Sequence, residues 1–240
     1  MSFPTGKVSV CQIIQTIQGE GKYAGYPAIL IRFCGCNLKC PFCDTKDLMY
    51  TANYTTYTPK ELAECINHIM KTTGIKHLLI TGGEPLLYRT ELIDFLDICD
   101  ANFIEIETNG TLLSNKYISF LIHMLRYKQP KIVFNISPKS NNFDNFVFQC
   151  RGSFVEYCYK LVVDTNNLDK ERNRILAAKK CFTDDPIYLM PMTKPDETIE
   201  TLVEKLRKLE EFCRDVNLPL TSRLHMFLYD NANETKNSYI

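Results

Sequence analysis

The order of short apolar runs and helical patterns limits the folds open to this chain more than any other feature of the sequence. Runs rich in β-branched or aromatic residues occur at Val8 to Ile14, Ala28 to Phe33, His77 to Thr81, Phe103 to Thr108, Lys131 to Ile136, Tyr159 to Val163, Ile187 to Met190 and Arg223 to Phe227. Each reads as a strand, most of them as buried parallel strands. Helical patterns alternate with them at Leu92 to Cys99, Asn115 to Tyr127, Leu168 to Lys180 and Glu197 to Val216. The clearest opens at Thr58-Pro59-Lys60-Glu61, an N-cap, a first-turn proline and a capping-box glutamate. Leu62, Cys65, Ile66, Ile69 and Met70 continue it at helical spacing and Gly74 stops it. Such alternation predicts right-handed βα units about a mainly parallel sheet, either doubly wound or a complete or partial (β/α) barrel. No linker or repeat interrupts it; residues 141–152 are the longest irregular stretch, and one domain over 1–240 is expected.

The residues with chemical character follow the strands: a cysteine loop over 34–50, Gly82-Gly83-Glu84, Asn109-Gly110, Ser137-Pro138-Lys139, Asp164 and Pro191. In a parallel sheet these exits share one rim, so the site is expected at the C-terminal ends of the strands. The 28 basic residues balance 28 acidic ones, which argues against nucleic acid as a partner. The N-terminus lacks the pattern of an export signal and no run approaches the roughly 18 apolar residues of a membrane helix. No membrane association is expected, and a cytoplasmic location is, where eleven cysteines stay reduced.

Cys36, Cys40 and Cys43 form CxxxCxxC at the end of a strand. Three thiolates suit an iron–sulfur cubane with one iron left open to a ligand. On spacing alone, a four-sulfur zinc site that adds Cys34 stays open. Cys34 otherwise reads as a packed residue, and Cys11, Cys65, Cys99, Cys150, Cys158 and Cys213 are scattered without ligand spacing. Arg32 stands inside the otherwise buried run Ala28 to Phe33, where a guanidinium requires a partner. A ligand carboxylate or a structural salt bridge satisfies that requirement equally well.

With Phe42 in its last gap, CxxxCxxC resembles the defining motif of the radical S-adenosylmethionine (SAM) superfamily. Flanking segments are similar to its 7-carboxy-7-deazaguanine synthase family: Thr16-Ile17-Gln18-Gly19-Glu20-Gly21, Gly25-Tyr26-Pro27-Ala28, Ile31-Arg32, Gly35 through Cys43-Asp44-Thr45, Thr81-Gly82-Gly83-Glu84-Pro85, Glu107-Thr108-Asn109-Gly110-Thr111 and Ser137-Pro138-Lys139. The resemblance implies an α/β partial barrel of the radical SAM type. It also implies a ring contraction of 6-carboxy-5,6,7,8-tetrahydropterin to 7-carboxy-7-deazaguanine with loss of ammonia, a step of queuosine biosynthesis. By carry-over, Cys36, Cys40 and Cys43 hold a 4Fe-4S cluster and Thr45 holds Mg2+. Phe42, Cys43, Asp44, Gly83, Ser137, Pro138, Lys139, Met190, Pro191, Met192 and Thr193 contact SAM, although Met190 and Thr193 depart from the family's Gln-Pro-Ile-Ser. Ile17, Gln18, Gly19, Arg32 and Thr81 contact the pterin. A flavodoxin or ferredoxin electron donor and a homodimer are implied too. Glu20, Glu107 and His225 are left open as rim contacts, and the polar tail from about 229 to 240 as loose or folded back. The alternatives are another radical SAM enzyme, such as a glycyl-radical activase, and a non-enzymatic zinc module.

Overall fold

The computed structural model describes residues 5–43, 45, 53–194 and 197–229. Its strands are β1 (Val8–Ile17), β2 (Pro27–Phe33), β3 (Thr55–Tyr57), β4 (His77–Gly82), β5 (Phe103–Thr108), β6 (Lys131–Ile136), β7 (Val155–Val163) and β8 (Ile187–Pro191). They form one sheet in the order β3-β1-β2-β4-β5-β6-β7-β8. From β2 to β8 every pairing is parallel, whereas β1 runs antiparallel to both β2 and β3. The edges β3 and β8 do not pair, so of the arrangements the alternation leaves open the barrel is the partial one, as the resemblance implies.

Helices α1 (Pro59–Thr73), α2 (Arg89–Ile98), α3 (Asn115–Met124), α4 (Leu168–Cys181) and α5 (Ile199–Val216) follow the strands. In α1 the anticipated capping box forms: Thr58 accepts from the Glu61 amide while Glu61 accepts from the Thr58 amide at 2.8 Å, and Gly74 ends the helix at φ 75°. Leu62, Ile66, Ile69 and Met70 are buried, so this helix packs the face its spacing specified.

The two faces of the sheet differ in chemistry. The large apolar core lies on the helical side, with Ile31, Ile80, Ile104, Ile106, Phe134 and Leu161 among its members. The other apolar cluster is small and comprises Ile14, Ala28, Leu30 and Leu79. Glu105, Asn135 and Lys160 are buried at 0%, 0% and 3% exposure, which places charged and polar groups in the barrel interior rather than at its surface. Buried charges at such positions require partners.

One element differs in kind from the sequence reading. Residues 223–227 are not a strand; Leu224–Leu228 is a short helix, α6. Leu220 makes a single parallel bridge to Leu189 at the β8 edge. The chain then turns away: Thr221 Oγ1 accepts from the Gly21 amide at 2.6 Å, and the Leu224 amide donates to the Gly19 carbonyl at 2.8 Å. These contacts tie the end of the described chain to the loop after β1, across the gap between the two ends of the sheet. A five-residue apolar run has no periodicity that separates strand from helix. Two further differences are of extent: β7 starts at Val155, with Val155 and Tyr157 buried, and β3 is an edge strand too short to leave a pattern.

Candidate active site

The exits of the parallel strands surround a cavity of about 240 Å³. Cys36, Cys40, Phe42, Cys43 and Thr45 form one wall. Ser137, Lys139 and Met190 to Thr193 form another, and Ile17, Gln18, Gly19, Arg32 and Thr81 line it from β1, β2 and β4. Pro138 is buried but does not line the cavity, and Asp44 lies outside the described residues, as do 46–50 of the cysteine loop and 230–240 of the tail. Asp164, although it follows β7, is not in the wall; it accepts from the Asn166 amide at 3.0 Å and from Asn167 Nδ2 at 2.5 Å, a turn leading into α4.

The cysteine loop is arranged locally. The Cys43 amide donates to the Cys40 carbonyl at 3.3 Å, and the Leu38 amide points at Cys36 Sγ, 3.4 Å away. Burial pushes the Cys36 thiol up, and the Leu38 amide opposes that shift. Thr45 Oγ1 lies 3.8 Å from Cys43 Sγ. Cys34 does not line the cavity; it is buried, its amide donates to the Ser9 carbonyl at 2.9 Å, and its free thiol is hydrogen-bonded with the free thiol of Cys11. The fourth sulfur of the zinc alternative therefore faces another way.

Gly82 and Gly83 have a packing role at this rim. A Cβ on Gly82, at φ +153°, would lie 2.3 Å from the Phe33 carbonyl oxygen of the adjacent strand. The Gly83 amide donates to that oxygen at 3.2 Å and the Glu84 amide to the Gly35 carbonyl at 2.9 Å, so both are committed to the root of the cysteine loop and not left for a ligand. The Glu84 side chain, fully buried, accepts from Thr108 Oγ1 at 2.7 Å and from the Asn109 amide at 2.8 Å, locking the β4 and β5 exits together.

Arg32 is 9% exposed and its Nε donates to Gln12 Oε1 at 3.1 Å, a neutral acceptor. Among the described residues no carboxylate forms a salt bridge to it. Opposite lies a network of which the sequence reading identified only the edges. Lys160, on β7, pairs with Glu20 Oε2 at 2.6 Å and with Glu107 Oε2. Arg223 Nε pairs with Glu20 Oε1 at 3.0 Å, and its NH1 donates to Thr193 Oγ1 at 2.7 Å. Asn135 Nδ2 donates to Glu107 Oε1 at 3.0 Å and to Glu105 Oε1 at 2.7 Å. His77 Nε2 lies 2.8 Å from Glu105 Oε2 without the alignment of a hydrogen bond. Against a burial penalty, the charges of Lys160, Arg223 and His225 hold the Glu20 carboxyl well below the usual carboxylate range. Burial instead pushes Glu107 up, with Lys160 opposing and Glu20 adding to the rise. Lys160 is displaced upward by Glu107 and Glu20 despite its own burial. A cation inside the apolar run Tyr159 to Val163 is the signal that singled out Arg32, and it applies equally to Lys160.

The sequence pattern of the radical SAM superfamily matches residues 30–209, the stretch that supplies the cysteine loop and the parallel strands. The chain belongs to the radical SAM superfamily. Among its relatives, the 7-carboxy-7-deazaguanine synthase of Clostridium acetobutylicum is 37% identical over 134 residues, which cover 53% of this chain and 59% of that one. The synthases of Aquifex aeolicus and Pyrobaculum aerophilum are 27% and 26% identical, over 88% and 95% of this chain and 90% and 97% of theirs. The crystal structure of QueE from Escherichia coli superimposes with a TM-score of 0.60 at 22% identity, covering 91% of this chain and 95% of that one, a likeness of fold.

Radical SAM enzymes hold a 4Fe-4S cluster and SAM, and the residues of the cysteine loop fit the cluster. Three thiols from one loop face a single cavity with an amide directed at one sulfur, and the apolar Leu38 and Phe42 stand beside them. Among the described residues no three His, Cys, Asp or Glu side chains converge as ligands of one ion; the thiolates of a cubane bind different corners and need only a shared cavity. No helix among the described residues is long and apolar enough to cross a membrane.

Proposed function

We propose that this radical SAM enzyme is a 7-carboxy-7-deazaguanine synthase, converting 6-carboxy-5,6,7,8-tetrahydropterin to 7-carboxy-7-deazaguanine with release of ammonia. The observation that carries the reading is Arg32: a guanidinium at the cavity wall whose partner is a neutral amide, suited to a substrate carboxylate. The full-length synthases of Aquifex aeolicus and Pyrobaculum aerophilum support it.

In this reading Cys36, Cys40 and Cys43 hold the cluster, and Phe42, Cys43, Asp44, Gly83, Ser137, Lys139 and Met190 to Thr193 hold SAM, with Pro138, behind the wall, shaping the strand exit that presents Ser137 and Lys139. Cluster and cofactor, once bound, supply the radical that abstracts hydrogen from substrate. Thr45 offers Mg2+ a hard oxygen donor beside the cysteine wall. Ile17 and Gly19 bound the pterin, Gln18 presents an amide to it, Thr81 a hydroxyl, and Arg32 takes its carboxylate. Gln18 is fixed at both ends, its Nε2 3.4 Å from Glu107 Oε1 and its Oε1 accepting from the Glu20 amide at 3.1 Å. Electrons come from a flavodoxin or ferredoxin, the chain acts as a homodimer, and a reducing cytoplasm suits eleven cysteines without a disulfide among them.

The test is anaerobic reconstitution followed by incubation with reductant, SAM, Mg2+ and the carboxypterin. Broad violet absorbance and carboxydeazaguanine are expected. A cluster that cleaves SAM without forming that product rejects the synthase, and a colourless zinc protein rejects the radical chemistry.

A further inference from the structure

Lys160 is a lysine at 3% exposure that joins two carboxylates from separate elements, Glu20 from the loop after β1 and Glu107 from the end of β5, and all three line the cavity. A carboxylate has about four lone-pair sites. Glu20 spends two on Lys160 and Arg223; Glu107 spends three, on Lys160, Asn135 and a long contact from Gln18. Both line the cavity, and these bonds leave each carboxylate with acceptor capacity to spare. Two carboxylates this close stay ionised together only while a cation lies between them; without it one takes up a proton and becomes a donor.

We propose that Lys160 is a positioning residue for the substrate: by its two ion pairs it keeps Glu20 and Glu107 in place as paired acceptors for the N–H groups of an amino-substituted nitrogen heterocycle. The proposal rests on the synthase reading for the identity of that heterocycle, not for the role of the lysine. Besides Lys160, the groups facing Glu107 are Glu20 and Glu105, with His77 behind Glu105 and with Arg223 and His225 behind Glu20.

The experiment compares Lys160→Met, Glu107→Gln and the double variant with the wild-type holoenzyme. In Lys160→Met the KM for carboxypterin is expected to rise at least tenfold while the KM for SAM stays within twofold. The acid limb of kcat/KM is expected to move to higher pH, because the pair loses the cation that favours its ionised form. In the double variant the loss is expected to be smaller than the sum of the two single losses, since part of the lysine's effect runs through Glu107 and part through Glu20. An unchanged acid limb with both KM values unchanged, or fully additive losses, overturns the proposal. Should Lys160→Met fail to fold, the double variant decides, because it removes the cation together with one carboxylate: a carboxypterin KM at or above that of Glu107→Gln supports the proposal and a wild-type value overturns it. Should the wild-type enzyme not turn over carboxypterin, the synthase reading fails alone, and carboxylate 13C NMR tests the lysine directly. An upward-shifted Glu107 titration in Lys160→Met then supports the proposal, and an unshifted one overturns it.

Discussion

Replacing Gly82 by alanine tests whether the cysteine loop is rooted by close packing of two strands. The added methyl would sit 2.3 Å from the Phe33 carbonyl oxygen, 2.8 Å from its nitrogen and 3.0 Å from its carbonyl carbon. These are backbone atoms of a paired strand, so no rotamer change relieves them. The strands must part by roughly 1 Å before the carbon and oxygen reach ordinary contact. Forced overpacking costs about 1–3 kcal/mol, and a φ of +153° adds about 1–3 kcal/mol for a residue with a side chain. Together these give about 2–6 kcal/mol, a drop in Tm of roughly 4–24 °C for a chain of this size. Gly25→Ala separates the two contributions, since Gly25 is at φ +94° with nothing within 4 Å of its Cβ position. Thermal melts of the apoprotein under anaerobic reductant should place Gly82→Ala clearly below Gly25→Ala, and iron content after reconstitution should fall only in the former, because Phe33 leads directly into the cysteine loop. If the two variants melt together, the close approach of β2 and β4 is not what requires glycine there.

Three further outcomes are expected. Arg32→Ala should lower kcat/KM by roughly 10–150-fold, the loss of a charge-assisted contact of about 1.5–3 kcal/mol, while violet absorbance is retained; loss of that absorbance would mean that Arg32 is structural. Thr58→Ala removes the side-chain half of the α1 capping box, the hydroxyl that accepts from the Glu61 amide, and leaves the bond from the residue-58 amide to Glu61 in place; it should cost about 1 kcal/mol, or roughly 2–4 °C of Tm, with turnover unchanged, and wild-type stability would refute the cap's contribution. The Glu20 pKa is depressed below its ordinary value of 4.5, so the unfolded chain binds a proton that the folded chain does not, and stability falls as pH drops below that value. Glu107, raised by burial, acts in the opposite sense, so the comparison with Glu20→Gln isolates the effect. Urea midpoints between about pH 5 and 3 should slope less in Glu20→Gln, and equal slopes would contradict the ion-pair account.

The cysteine triad, the helix starts and the rim location were legible because each depends on residues close in sequence. CxxxCxxC lies on one loop, and the Thr58 cap reaches only to Glu61. The six parallel strands were visible because burial on both sides leaves a continuous apolar run. The polar interior was harder to read. Glu105 and Glu107 alternate with Ile104 and Ile106, which marks two faces but not which one a barrel encloses. Lys160 carried a readable signal, a charge inside an apolar strand, but its partners are 140 residues away at Glu20 and on another strand at Glu107. Residues 223–227 carry no local pattern for the contact they make, the Leu224 amide donating to the Gly19 carbonyl some 200 residues earlier.

Local pattern thus determined most of the secondary structure, the rim around which the cavity opens and the three thiols that share one of its walls, since hydrogen bonding within a turn, side-chain periodicity and ligand spacing act over a few residues. Only the tertiary structure decided that Cys34 faces Cys11 rather than the cavity, that Arg32 meets a neutral amide, and that Lys160 stands between two carboxylates. The reason is physical: the cost of burying a charge depends on what the fold brings within a few ångströms of it, and these partners come from segments some 20 to 140 residues away in the chain.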